Sequence, residues 1–213
     1  MKTKRKALLL TFCAVLLVVA SVLGTIAYLT ANDTVANTFT VGQVAINLDE
    51  AKVNPDGTPV ANADRVKENR YKLLPGHTYT KDPTVTVLSG SESSYIKMTV
   101  TFNKANELDA IFAPDGAKLM KIFNGYDEQK WIYKGNTKDT TANTRTYEFW
   151  YKEAVGAPTT NVKLDALFNS ITVPNDITGE QLATIQGMTI TVNAYAIQAD
   201  GFETAKDAWD AFS

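Results

Sequence analysis

The chain has 213 residues, 45% of them hydrophobic, and carries 21 lysines and arginines against 23 aspartates and glutamates, a formal net charge of −2. That is enough apolar material for one domain with a sizeable core, and the lack of a basic excess argues against the cationic face that nucleic acid requires. A single histidine and a single cysteine exclude a multi-imidazole zinc site and a disulfide framework.

At the N-terminus, Lys2, Lys4, Arg5 and Lys6 precede an almost unbroken apolar run from Ala7 to Leu29, the layout of an export signal. The run is long enough to span a bilayer. Its end favours cleavage, however: Gly24 weakens a helix, and Thr25 and Ala27 place small residues at the positions that a signal peptidase reads. The expectation is a signal peptide over 1–27, cut so that the secreted chain begins at Tyr28, with a retained single-pass anchor as the alternative. Cys13 would leave with the signal, and the remaining 17 basic against 23 acidic groups suit an extracellular protein.

Residues 28–42, "YLTANDTVANTFTVG", form an N-terminal segment ahead of a domain over 43–213. In "QVAINLDE" the alternation places Val44, Ile46 and Leu48 inward. The stretches "NPDGTP", "LLPGH", "APDG" and "QADG" carry the proline and glycine of turns. "PTVTVLS" follows as a strand, and "YIKMTVTF" is the clearest one, with Ile96, Met98, Val100 and Phe102 on one face. "KWIYKG" and "TRTYEFWYKEAV" add two more, the latter with Tyr147, Phe149 and Tyr151 on one side. Short helices are expected at "KLDALFN" from Lys163, at "TGEQLATI" from Thr178 with Gln181 set for a capping box, and at "ETAKDAWDAF". The strand "MTITVNAYAIQ" points Met188, Ile190, Val192, Ala194 and Ala196 into the core. Many short strands without a βαβ rhythm predict an all-β fold with a few short helices: a single antiparallel β-sandwich of jelly-roll or Greek-key type.

Chemistry-bearing patterns are scarce. His77 lies in the turn "LLPGHTY", and the chain has no H-E-x-x-H, no G-x-S-x-G and no glycine-rich phosphate loop. Asp49 with Glu50, and Asp207 with Asp210, read as solvated carboxylates rather than acid/base pairs. Asp56, Asp115 and Asp200 sit in turn sequences without calcium-loop spacing. Tyr147, Phe149, Trp150 and Tyr151 read as core rather than a carbohydrate platform. No catalytic residue, metal ligand or cofactor is expected, and the protein reads as a non-enzyme.

Two blocks carry a family resemblance. "GTIAYLTANDTVANTFTVGQVAINLDE" has a G-T-x-A signal end followed by Thr38, Phe39 and Gly42, and "LLPGHTYTKDPTVTVLSGSESSYIKMTV" has Leu73, Pro75, Gly76 and Lys81 in an L-x-P-G-x-x-x-x-K stretch. Over residues 1 to about 102 the chain resembles the TasA and camelysin-type exported proteins of Gram-positive bacteria. The resemblance implies processing by a SipW-type signal peptidase, a jelly-roll fold, and a place in the biofilm matrix or on the cell surface as a fibre subunit, alongside other matrix proteins. Camelysin relatives are classed as metallopeptidases, which the lone His77 does not support.

The residues make a separate case for assembly. The freed segment Tyr28 to Phe39 is mostly uncharged and rich in threonine, valine and aromatics, and such a segment can add as a strand to a neighbour's open edge. Tyr28, Leu29, Val35 and Phe39 are its anchoring side chains. Head-to-tail addition does not close and so propagates. The competing expectations are a loose terminus or an edge strand of its own domain, and thus a monomeric exported binding module. Membrane contact is expected only through an uncleaved signal, and nucleic acid is not an expected partner.

Overall fold

The computed structural model describes Lys6 and residues 12–17, 43–112 and 122–212. The chain divides into two compact units, Met1–Val41 and Gly42–Ser213. In the first, residues 12–17 are helical and exposed, and no described helix is long and apolar enough to cross a membrane.

The second unit is mostly β, with antiparallel pairing throughout the described strands. Its strands are β1 (Ile46–Asp49), β2 (Thr78–Thr80), β3 (Thr84–Val87), β4 (Ser94–Asn103), β5 (Phe123–Asn124), β6 (Trp131–Asp139), β7 (Thr144–Tyr151), β8 (Val162–Lys163), β9 (Ser170–Thr172) and β10 (Ile190–Gln198). They form sheets of order β1-β3-β8, β10-β4-β7-β6 and β2-β9-β5. Short helices follow at α1 (Ala105–Phe112), α2 (Gly179–Thr184) and α3 (Ala205–Phe212).

β4 is the spine. Its strict alternation buries Ile96, Met98, Val100 and Phe102 completely, as a strand with one covered face requires. β7 answers in register, Phe149 opposite Met98 and Tyr147 opposite Val100. The Phe102 ring lies 5.9 Å from Tyr147 and 5.8 Å from Phe123, so the four-stranded sheet and the β2-β9-β5 sheet share one core. Trp131 is fully buried, and its indole N–H donates to the Asp165 carbonyl at 3.1 Å.

Both capped helices follow local chemistry. At α2 the Gln181 N–H donates to Thr178 Oγ1 at 3.2 Å while the Thr178 N–H donates to Gln181 Oε1 at 2.8 Å, a complete capping box. Thr204 and Asp207 make the same exchange at α3. α3 buries Ala208 and Trp209 on the outer face of the four-stranded sheet, where Lys97 Nζ lies 4.5 Å from the Trp209 ring centre and Trp150 lies 6.4 Å from it.

Several expectations need correction. The segment from Lys163 is not a helix: Val162–Lys163 pairs with β3, and the Leu164 and Leu167 N–H groups then donate to the Val85 and Pro83 carbonyls, so Leu164, Leu167 and Phe168 are buried from an irregular path. Val44 precedes β1 rather than lying in it. Tyr151, expected inward with Tyr147 and Phe149, is only half-buried, while Trp150 takes the opposite face as the alternation has it. β10 is an edge strand whose inward side chains are half-buried. Helix α1 was not expected.

Gly57 takes φ +85°, and a Cβ there would meet the Tyr79 Cα at 2.6 Å. Gly57→Ala is therefore expected to destabilise the fold by about 2–3 kcal/mol through backbone strain and overlap, measured as a lower denaturation midpoint at constant m-value.

Candidate functional site

The most unusual surface of the domain is the edge of the four-stranded sheet at β10. Asn103 N–H bonds the Thr189 carbonyl and Ala199 N–H bonds that of Ser93, which fixes the phase of the ladder: odd-numbered residues turn their amides toward β4. The N–H and C=O groups of Ile190, Val192, Ala194, Ala196 and Gln198 therefore point away from it, and among the described residues none has a backbone partner. The strand runs nine residues in unbroken register with no charge and no proline. β1 comes near without pairing to it, leaving an unzipped seam.

The other edge of the same sheet is blunted. β6 breaks register between Tyr133 and Gly135, where Gly135 takes φ +130°, and carries Lys134 and Lys138. A bulge and lysines are devices that stop edge-to-edge pairing. One edge is thus protected, and the other is unpaired among the described residues.

At one end of the seam a cavity of about 1100 Å³ opens between Leu48 on β1 and Ile190 and Val192 on β10. Its floor includes Leu108, Ile122 and Ile171, and its walls include Tyr71 and Leu182. One wall carries a buried polar cluster: Lys81 Nζ donates to Glu50 Oε2 at 2.6 Å, and Asn69 Nδ2 donates to Glu50 Oε1 at 2.9 Å. The Tyr71 phenol donates to the Thr80 carbonyl at 3.1 Å; burial, helped by the Glu50 charge, pushes its pKa well above the ordinary tyrosine value.

The residues singled out from the sequence are not brought together as a catalytic site. His77 is exposed in its turn, its ring 6.3 Å from that of Tyr79. Asp49 and Glu50 are not solvated as expected: Asp49 is paired with Arg65, which also holds Asp82 at 2.7 Å, and Glu50 is 7% exposed. Asp207 and Asp210 are exposed, Asp210 pairing with Lys206. Hydrogen bonds from the Thr58 hydroxyl and amide hold the Asp56 carboxyl below the usual range, as turn chemistry dictates. Asp200 is an exposed turn residue. Among the described residues no group of three or more histidines, cysteines or carboxylates is disposed to hold a metal. Asp115, the cleavage residues Thr25, Ala27 and Tyr28, and the anchoring residues Leu29, Val35 and Phe39 lie outside the described residues. No family model matches the chain, and no match is found among curated proteins or solved structures.

Proposed function

We propose that the protein is a secreted, non-enzymatic structural protein of the cell surface or biofilm matrix, released by a SipW-type signal peptidase at Ala27 and assembling into fibres. In this reading each copy donates residues 28–42 to the open β10 edge of the next, and the domain is a jelly-roll sandwich. The observation that carries it is the contrast between the two edges of one sheet: β6 is bulged and charged, whereas β10 turns the backbone groups of five residues away from β4 with no backbone partner among the described residues. Strand addition supplies main-chain hydrogen bonds at such an edge. The donor pattern supports it in part: Leu29, Ala31, Val35 and Phe39 share one parity, interrupted by Asp33 and Asn37, while Tyr28, Thr30, Thr34 and Thr38 share the other, so the ends of one face would extend the half-buried stripe of Ile190, Val192, Ala194 and Ala196. The cavity beside the seam favours a second reading, an exported binding module.

Removal of Tyr28 to Asn37 from the secreted chain is expected to abolish filaments in negative-stain images while thermal unfolding stays cooperative, because the buried stripes of β4 and β7 lie downstream. Val35→Asp is expected to weaken assembly by placing an unpaired carboxylate against the apolar stripe. Filaments of normal length from the truncated chain would overturn the donor-strand reading.

A further inference from the structure

The cleft at the β1–β10 seam lies between segments fixed by hydrogen bonds on both sides. It is a cleft of about 1100 Å³, bordered by aliphatic side chains such as Leu73, Leu182, Met188 and Val192 that remain half-exposed, the shape and lining of a ligand site. Both walls are pinned at a distance. On one side Arg65 and Lys67 bond the backbone carbonyls of Asp49 and Leu48, Asn69 bonds the backbone on both sides of Lys52, and the Tyr79 hydroxyl donates to Lys72 O at 2.7 Å. On the other, Lys104 Nζ donates to Thr184 O at 2.9 Å and Thr189 N–H donates to Asn103 Oδ1 at 2.7 Å. These bonds tie the segments on each side of the cleft to the backbone of their neighbours.

We infer that this cavity is a binding site for an uncharged amphiphile: an aliphatic chain ending in a hydroxyl or amide. The inference stands apart from fibre assembly. Volume and lining suit an elongated hydrophobe, since ligand sites of this kind are concave, mostly apolar and carry few polar groups. Charge selects the neutral class. The ionised groups on the walls are Asp49, Glu50 and Glu68 against Lys67, Arg70 and Lys81, which cancel, so neither an anionic nor a cationic head gains a counter-charge that repays its desolvation. A neutral polar head does have partners. Lys81 Nζ makes one hydrogen bond among the described residues and has further N–H groups to give, while the Glu50 carboxylate beside it accepts from an O–H or N–H.

The test uses the secreted chain cleared of filaments by centrifugation, with N-phenyl-1-naphthylamine as an uncharged fluorescent probe. The expected result is saturable binding at one probe per chain, displaced by dodecanol at a concentration at least about tenfold below that needed with dodecanoate or dodecyltrimethylammonium, the penalty on a desolvated charge. Leu182→Trp, which fills the cavity from the exposed side of α2, is expected to abolish probe binding. The double variant Glu50→Gln with Lys81→Met keeps the cavity, and is expected to require severalfold more dodecanol for displacement, measured against its own probe affinity. Equal displacement by the charged chains, or undiminished binding by a cooperatively folding Leu182→Trp chain, would overturn the inference. If that variant does not fold, an unchanged dodecanol response in the double variant overturns it instead. Filaments are scored separately, so their absence alongside intact probe binding counts only against the fibre reading.

Discussion

Replacing Lys81 with methionine is expected to destabilise the domain by about 3–5 kcal/mol, the cost of stranding a buried charge. The Lys81 and Glu50 side chains are 7% and 9% exposed. Without the ammonium, the Glu50 carboxylate keeps only the amide of Asn69 among the described residues and loses the charge that offsets its desolvation. Replacing both residues, Glu50 with glutamine and Lys81 with methionine, is expected to restore most of the loss, because a buried pair often contributes little net stability over a neutral pair of similar size. Urea unfolding of the two single variants and the double variant measures the coupling directly. Additive effects of the two single replacements would show that the pair does not act as a unit.

Phe102→Ala is expected to cost a similar amount, about 3–5 kcal/mol, through a different mechanism. Phe102 is fully buried at the junction of the four-stranded sheet with the β2-β9-β5 sheet, against Phe123 and Tyr147. Its removal leaves a void that the paired backbones of β4 and β7 cannot close. For a chain of this size the melting temperature should fall by roughly 6–20 °C. A fall of only a degree or two would show that the junction repacks.

These two sites differ in how far they could be read from the sequence. The burial of Phe102 was legible because β4 is central, so its alternation maps directly onto a covered and an open face. The same period in β10 gave the right inward residues but not their depth, since alternation reports which face a side chain takes and not whether the strand is central or at an edge. Leu164, Leu167 and Phe168 have helical spacing, yet pairing with β3 decides their path. α1 carries its apolar residues Ala105, Leu108 and Phe112 within only eight residues, too short a run to set a helical period apart from a loop. The cavity was not legible at all, because its walls come from residues near 48, 70, 171 and 190, and no local pattern records which distant segments face one another. Nor did the sequence reveal that Glu50 is sequestered with Lys81, 31 positions away.

The three tryptophans sit in environments different enough to serve as separate optical reporters. Trp131 is enclosed with its indole hydrogen-bonded to Asp165, so its emission follows loss of the core. Trp150 and Trp209 lie 6.4 Å apart beside Lys97, close enough for their excited states to couple and mark the near-ultraviolet circular dichroism. Detachment of α3 would erase that coupled signal while leaving the Trp131 emission in place, so local fraying of the C-terminal helix and global unfolding can be followed in one unlabelled sample.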